Sequence, residues 1–314
     1  MIFLDGVGLG STDPQVNPLY ASHLPALRSL FDGELPSLDV PTILTNKASA
    51  IPLDANLGIE GLPQSGTGQT ALFTGVNGAK VVGKHFGPHP YSTLRPIIAE
   101  KNIFKQLLDA RRKPCFVNAF PQRFFDYINH RRSRMTVTTL SCLRSGMRLL
   151  DVSDLENERG ISADITNAGW PELGYPHVRQ IPPAEAGRRL VRISELYDFV
   201  LFEYWKTDHA GHAQAMDEAI SVLERLDGML AGVLETLNEA HTLLFMTSDH
   251  GNIEDLSRKG HTRNPVPALM VGYRHAEMAR LLLSISAEGG SLTHVTPLLV
   301  QLLTGEFHEG ARSS

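Results

Sequence analysis

The sequence predicts an α/β fold: a mostly parallel sheet with helices on both faces and a small inserted cap. Three observations carry this. Apolar runs of strand length recur along the chain without polar alternation, as expected when helices cover both faces of a sheet. Stretches of helical periodicity lie between these runs. One long polar segment in the middle breaks the alternation.

Taken in order, strands are expected at "MIFL" (1–4), "CFVNAF" (115–120), "DFVLFEY" (198–204) and "TLLFMTS" (242–248), with "ALMVG" (268–272) a shorter fifth. A helix is expected over "IFKQLLDARR", after Asn102 as its N-cap. A long amphipathic helix is expected over 215–240, where Met216, Ile220, Leu223, Leu226, Leu230, Val233 and Leu237 recur at three-to-four spacing. Asp227, inside it, reads as a solvated or structural acid. From 121 to 185, Arg, Ser, Thr, Asn, Pro and Gly are abundant and apolar runs are short. The expected organisation is a core in two parts, 1–120 and 186–314, with a cap over 121–185 at the ligand edge of the sheet.

The chain of 314 residues is long enough for a sizeable core, and 42% hydrophobic with 20% charged residues is ordinary for a globular protein. A net charge of −5 supplies no basic excess to meet nucleic acid or an acidic membrane. No apolar stretch is long enough to span a bilayer. The clearest basic cluster, "NHRRSR" (129–134), suits a small anion. Two cysteines, Cys115 and Cys142, form no CxxC pair, so neither a disulfide framework nor a cysteine metal site is expected, which fits a cytoplasmic protein. No signal peptide is visible. The first strand begins at residue 1 or 2, which leaves room for a start upstream of Met1.

Ligands of open α/β sheets bind beyond the carboxyl ends of the strands. There the sequence offers Asp5 with "GVGLG", then "WKTDHAGH", then Asp249-His250-Gly251, and "GHTRNPVP" leads into the fifth strand. Asp208 and His212 are four apart, so one helical turn puts both on one face, with His209 pointing away. Asp249 and His250 can converge where the strand ends, because Gly251 permits a sharp turn. His261 arrives from the following loop. Mixed Asp and His ligands suit zinc or manganese better than calcium, and these six residues approach the number two metals need. A further oxygen is wanted. The Gly-rich "LPQSGTGQTALFTG" (62–75) supplies Ser65 and Thr67 at a helix N-terminus, where a hydroxyl can become a nucleophile. On these grounds either hydroxyl serves. Read singly, each motif is a turn, a cap or a loop, and "GVGLG" lacks the GxGxxG spacing of a dinucleotide site.

Together and in this order, "FLDGVGLG", "SGTGQ", "TDHAGH", "SDHGN" and "GHTRNPVP" resemble the alkaline phosphatase superfamily, most closely its branch of cofactor-independent phosphoglycerate mutases and phosphopentomutases. The resemblance covers roughly 1–120 and 186–314. It implies an alkaline-phosphatase-like fold and two divalent metals, Mn or Zn, bridged by a nucleophile that is transiently phosphorylated. Asp208, His212 and His261 are implied for one metal. Asp5, Asp249 and His250 are implied for the other, with the nucleophile as an added ligand. The register of "SGTGQ" selects Ser65 over Thr67. Lys84, His85, Arg123, Arg131, Arg132 and Arg134 are candidates to grip a phosphate. Two departures stand out. Gln69 lies where those mutases carry His, and the cap is short beside their closing domain. A small cap shields a phosphoenzyme from water less well, which favours a phosphatase-type hydrolase on a small phosphate ester. Alternatives are a phosphomutase, a phosphodiesterase or a non-catalytic metabolite-binding relative. A sulfatase "CxPSR"-type motif is absent around residue 65.

Overall fold

The computed structural model describes residues 1–130, 134–285 and 290–305. Its strands are β1 (Ile2–Leu4), β2 (Ile43–Leu44), β3 (Ala48–Asp54), β4 (Pro114–Phe116), β5 (Asn118–Phe120), β6 (Leu150–Asp151), β7 (Ile161–Ser162), β8 (Phe199–Tyr204), β9 (Leu243–Ser248), β10 (Val266–Gly272) and β11 (Gly290–Ser291). The main sheet has the order β11-β3-β10-β9-β1-β8-β4, with β2 beside β3. Its centre, β9-β1-β8-β4, is parallel. Both faces are covered: Ile2 and Leu4 of β1 belong to one apolar cluster and Phe3 to the other. This is why the strands read as unbroken apolar runs.

β10 returns antiparallel to β9. The 249–265 connection contains no helix, so it makes a reversal and not a crossover. β3 pairs antiparallel with β10 and is a strand the apolar pattern did not announce. Its "ASAIPLD" run is short of large residues and carries Pro52, which normally demotes a strand, yet Ala48, Ala50, Ile51 and Leu53 are buried.

The expected strand "CFVNAF" divides at Val117. Pro114–Phe116 pairs with β8, while Asn118–Phe120 becomes the centre of a second, parallel sheet, β6-β5-β7. Asn118 explains the departure. Its Nδ2 donates to the Glu203 carbonyl at 2.8 Å, and its Oδ1 accepts the Glu203 N–H at 2.8 Å. A side chain thus replaces the next ladder pair and frees the backbone to turn away. The 121–185 segment also holds the helices Gln122–Ile128 and Val137–Arg144. The latter buries Val137, Leu140 and Cys142 against the Ser65–Thr74, Leu94–Lys101 and Ile103–Asp109 helices, so part of this polar segment folds into the main core.

Asn102 caps the Ile103–Asp109 helix, its Oδ1 accepting the Lys105 N–H at 3.0 Å. The long helix spans Met216–Thr236. Asp227 is buried there and structural: it accepts the Ala26 and Leu27 N–H groups at 3.0 and 2.8 Å, capping the Pro25–Leu30 helix from another element. No described helix is long and apolar enough to cross a membrane.

Candidate metal centre

The loops after β1, β8 and β9 meet at the carboxyl edge of the parallel sheet, as the strand registers require. β1 ends at Leu4 and Asp5 follows. Gly6 then turns the chain with φ +69°, and a Cβ there would lie 2.6 Å from Asp208 Oδ1. Only glycine both adopts this angle and leaves that room. The Lys206–Ala213 helix carries Asp208 and His212 one turn apart. The 249–265 loop carries Asp249, His250 and His261.

Two triads result. Asp208, His212 and His261 form one, and Asp5, Asp249 and His250 the other; within each, the ligand atoms lie within 4.8 Å of one another. In the first, His212 Nε2 is 3.4 Å from Asp208 Oδ2, His261 Nε2 is 3.6 Å from Asp208 Oδ1, and the two Nε2 atoms are 3.3 Å apart. In the second, His250 Nε2 is 3.3 Å from Asp5 Oδ1 and 3.7 Å from Asp249 Oδ2. The His250 and His261 rings stack at 3.8 Å and join the triads. His261 Nδ1–H donates to the Pro63 carbonyl at 2.6 Å, which leaves Nε2 as the ligating nitrogen.

The donor set fits divalent metal. Asp249 and His250 are fully buried, and Asp5 Oδ1 and Asp249 Oδ2 accept no hydrogen bond within the described residues. Burial, with the nearby charges of Asp5 and Asp208, pushes the Asp249 carboxyl well above its usual range. Burial raises Asp5 as well. Burial alone would lower His250, but the charges of Asp249, Asp5 and Asp208 raise it to about 10. Burial and the charge of His250 lower His261 to about 4. Crowded, desolvated carboxylates of this kind need protons or a cation, and a metal ion supplies the charge without the protons.

Ser65 opens the buried Ser65–Thr74 helix, and its Oγ lies 3.0 Å from His250 Nε2. Thr67 is engaged elsewhere: its Oγ1 donates to the Gln64 carbonyl and accepts the Phe86 N–H. Gln69 Nε2 reaches Asp5 Oδ2 at 3.5 Å. The phosphate-gripping candidates are scattered. Lys84 is exposed. His85 Nε2–H donates to the Ile59 carbonyl. Arg123 lines a separate cavity with Trp205 and Lys206. Arg134 is exposed and joins Tyr127 Oη only through its backbone. Arg131 and Arg132 lie outside the described residues. His209 points away from the triad, with Nδ1 3.7 Å from Glu218.

Several residues at the site were not anticipated from sequence. Glu254 is buried and accepts four hydrogen bonds, from Gly8 N, Asn252 N, Thr262 Oγ1 and Asn264 Nδ2. It ties the loop after β1 to both ends of the 249–265 loop. Asn252 Nδ2 donates to Asp208 Oδ1 at 2.6 Å and orients it. Thr207 Oγ1 donates to the Asp5 carbonyl at 2.5 Å. Glu203 is buried in β8, accepts from Thr138 Oγ1 at 2.6 Å, and is raised by burial to about 7. The one sequence signal for Glu203 was an acid inside an apolar run. A polar cleft of about 460 Å³ also adjoins His261, with Arg258, Arg263 and Asn264 in its wall.

An α/β sheet whose carboxyl edge gathers two Asp/His triads offers donor sets suited to divalent metal, as in metalloenzymes built on such sheets. Residues 183–306 match the model of the Metalloenzyme superfamily. The chain is 28% identical over 140 residues to a 2,3-bisphosphoglycerate-independent phosphoglycerate mutase of Thermomicrobium roseum, a match covering 42% of this chain and 25% of that protein. It is 32% identical over 114 residues to the protein of that name from Pseudomonas syringae pv. tomato, covering 34% and 21%. The matches thus span about a quarter of the length of these curated relatives. Over the whole chain the fold is similar to that of the PH0037 protein from Pyrococcus horikoshii, with TM-score 0.55, 14% identity, and 99% and 98% of the two chains covered. It is also similar to the alkaline phosphatase of the Antarctic bacterium TAB5, with TM-score 0.51, 14% identity and 98% of each chain covered. At such identities the likeness is one of fold. The family match over 183–306 and the fold over the whole chain together support an alkaline-phosphatase-like metalloenzyme.

Proposed function

We propose that this chain is a two-metal phosphoryl-transfer enzyme, a phosphatase-type hydrolase that acts on a small phosphate ester through a phosphoserine at Ser65. One observation carries the reading: a buried hydroxyl at a helix N-terminus lies 3.0 Å from the imidazole that belongs to one triad and stacks on the other. Asp208, His212 and His261 would hold one ion, and Asp5, Asp249 and His250 the other, with Ser65 as an added ligand. Mn²⁺ and Zn²⁺ both suit these donors. Bound metal would supply Lewis acidity, lowering the hydroxyl pKa and neutralising phosphoryl charge.

The rest falls to the chain's own groups. Ser65 Oγ attacks phosphorus in line, forming its bond as the ester oxygen leaves. The N-terminus of the Ser65–Thr74 helix, with Ser65 as its first residue, would favour the phosphoryl charge through the helix dipole. Asn252 and Thr207 hold Asp208 and the Asp5 backbone in place. Water then cleaves the phosphoserine and restores Ser65. The polar 121–185 segment caps the ligand edge in this proposal.

A phosphomutase is the second reading, favoured by the names of the curated relatives. The test is turnover of p-nitrophenyl phosphate by metal-stripped protein with Mn²⁺ or Zn²⁺ restored. Metal-dependent release that Ser65→Ala abolishes, with metal content and Tm unchanged, is the expected result. Full activity in Ser65→Ala would overturn the nucleophile assignment. Phosphoryl transfer between phosphosugars without net release would favour the mutase, and faster turnover of bis-p-nitrophenyl phosphate a diesterase.

A further inference from the structure

The cleft of about 460 Å³ that adjoins His261 lies where two segments of the metal centre meet. One leads to the nucleophile and puts Leu62, three residues before Ser65, in the wall. The other carries the ligand His261 and puts Arg258, His261 and Arg263 there. Two hydrogen bonds join them. His261 Nδ1–H donates to the Pro63 carbonyl at 2.6 Å, and Arg263 Nε–H donates to the Gly61 carbonyl at 3.0 Å. The second bond fixes Arg263 at the rim and leaves its terminal nitrogens without a partner among the described residues. Arg258 is held in a similar way, with Nε 3.0 Å from Asp255 Oδ2. Asp255, the one acid in this wall, has its other oxygen engaged by the Ser257 N–H and hydroxyl groups. The wall therefore shares His261 with the first triad and carries a net positive charge.

We propose that this cleft holds the alcohol part of the substrate, and that this part carries a second anionic group, a carboxylate or a phosphate. Resting on the phosphoryl-transfer reading, this names the substrate class as phosphate esters with a charged tail. The ions of the two triads would meet the charge of the reacting phosphoryl group, so the guanidinium groups of Arg258 and Arg263 are left for a second one. Their planar forks match the paired oxygens of a carboxylate or a phosphate. An uncharged polyhydroxy tail would gain weaker bonds from them.

The metal-loaded protein is titrated calorimetrically with propylphosphonate, carboxyethylphosphonate and ethylenediphosphonate, which share one anionic head and differ in the tail. Expected is about tenfold tighter binding of at least one charged-tail ligand than of propylphosphonate. A preference confined to the carboxylate or to the second phosphonate supports the site and tells which group it takes. Arg263→Gln and the double variant with Arg258→Gln change exposed positions. Both should remove most of the preference while metal content and Tm hold. Equal affinities for the three phosphonates, or a preference that both variants retain, would overturn the proposal. A charged-tail preference in a protein that hydrolyses neither propyl phosphate nor carboxyethyl phosphate supports the anion site and sinks phosphoryl transfer. Equal kcat/KM for those two esters does the reverse.

Discussion

Glu203 shows what one buried residue does to the whole. It is buried between the sheet and the Val137–Arg144 helix, and burial lifts its carboxyl from 4.5 to about 7, with the Thr138 hydroxyl holding one oxygen. Between these values the folded chain binds more protons than the unfolded one. Its contribution to stability is therefore complete below about pH 4.5 and declines as pH rises to about 7. The full decline is roughly 3 kcal/mol, an upper bound from the shift itself. Glu203→Gln keeps the shape and removes the titration. Thermal melts from pH 4.5 to 8 should show a flatter profile for the variant than for the parent, and parallel profiles would contradict the assignment. The same burial acts on Asp249, where a lone acid would be intolerable and a metal ligand is not. Asp249→Asn should lose one metal per chain by elemental analysis, and unchanged content would remove Asp249 from the ligand set.

At the scale of elements, the site depends on how loops are tied down. Four hydrogen bonds converge on Glu254 from two loops that are far apart in sequence. The amphipathic Met216–Thr236 helix performs a similar task for the Pro25–Leu30 helix through Asp227. That helix has no cap of its own at Leu24, so the acid replaces it from outside. Asp227→Ala should cost about 1–2 kcal/mol and lower Tm by a few degrees without altering metal content. A loss of metal on that substitution would mean that the long helix positions the site as well.

For the molecule as a whole, metal and fold are expected to be linked. The triads draw ligands from the loops after three strands, so an ion that binds only the folded state stabilises the sheet's carboxyl edge. Chelation should lower Tm by roughly 4 °C for each ion that stands near a hundredfold above its Kd. Added Mn²⁺ or Zn²⁺ should restore it. A Tm indifferent to chelation in protein shown to lose its metal would mean that the site is rigid without the ion.

The parallel centre of the sheet was legible because burial on both faces imposes continuous apolar runs, and the Asn102 cap because capping is local. The six Asp and His residues were legible because they follow strand ends, where such sheets bind ligands. What lay beyond reach depended on contacts distant in sequence. β3 is a strand because β10 pairs with it, despite Pro52. "CFVNAF" divides because Asn118 meets Glu203, 85 residues away. Ser65 and Thr67 were equivalent on local grounds, and differ because His250 reaches one and Phe86 the other. The sequence by itself determined the class of fold and marked the candidate donor residues, since these follow from local pattern and composition. Tertiary structure alone decided which side chains face one another, because that distance is set by packing across the sheet and leaves no periodic trace in the chain.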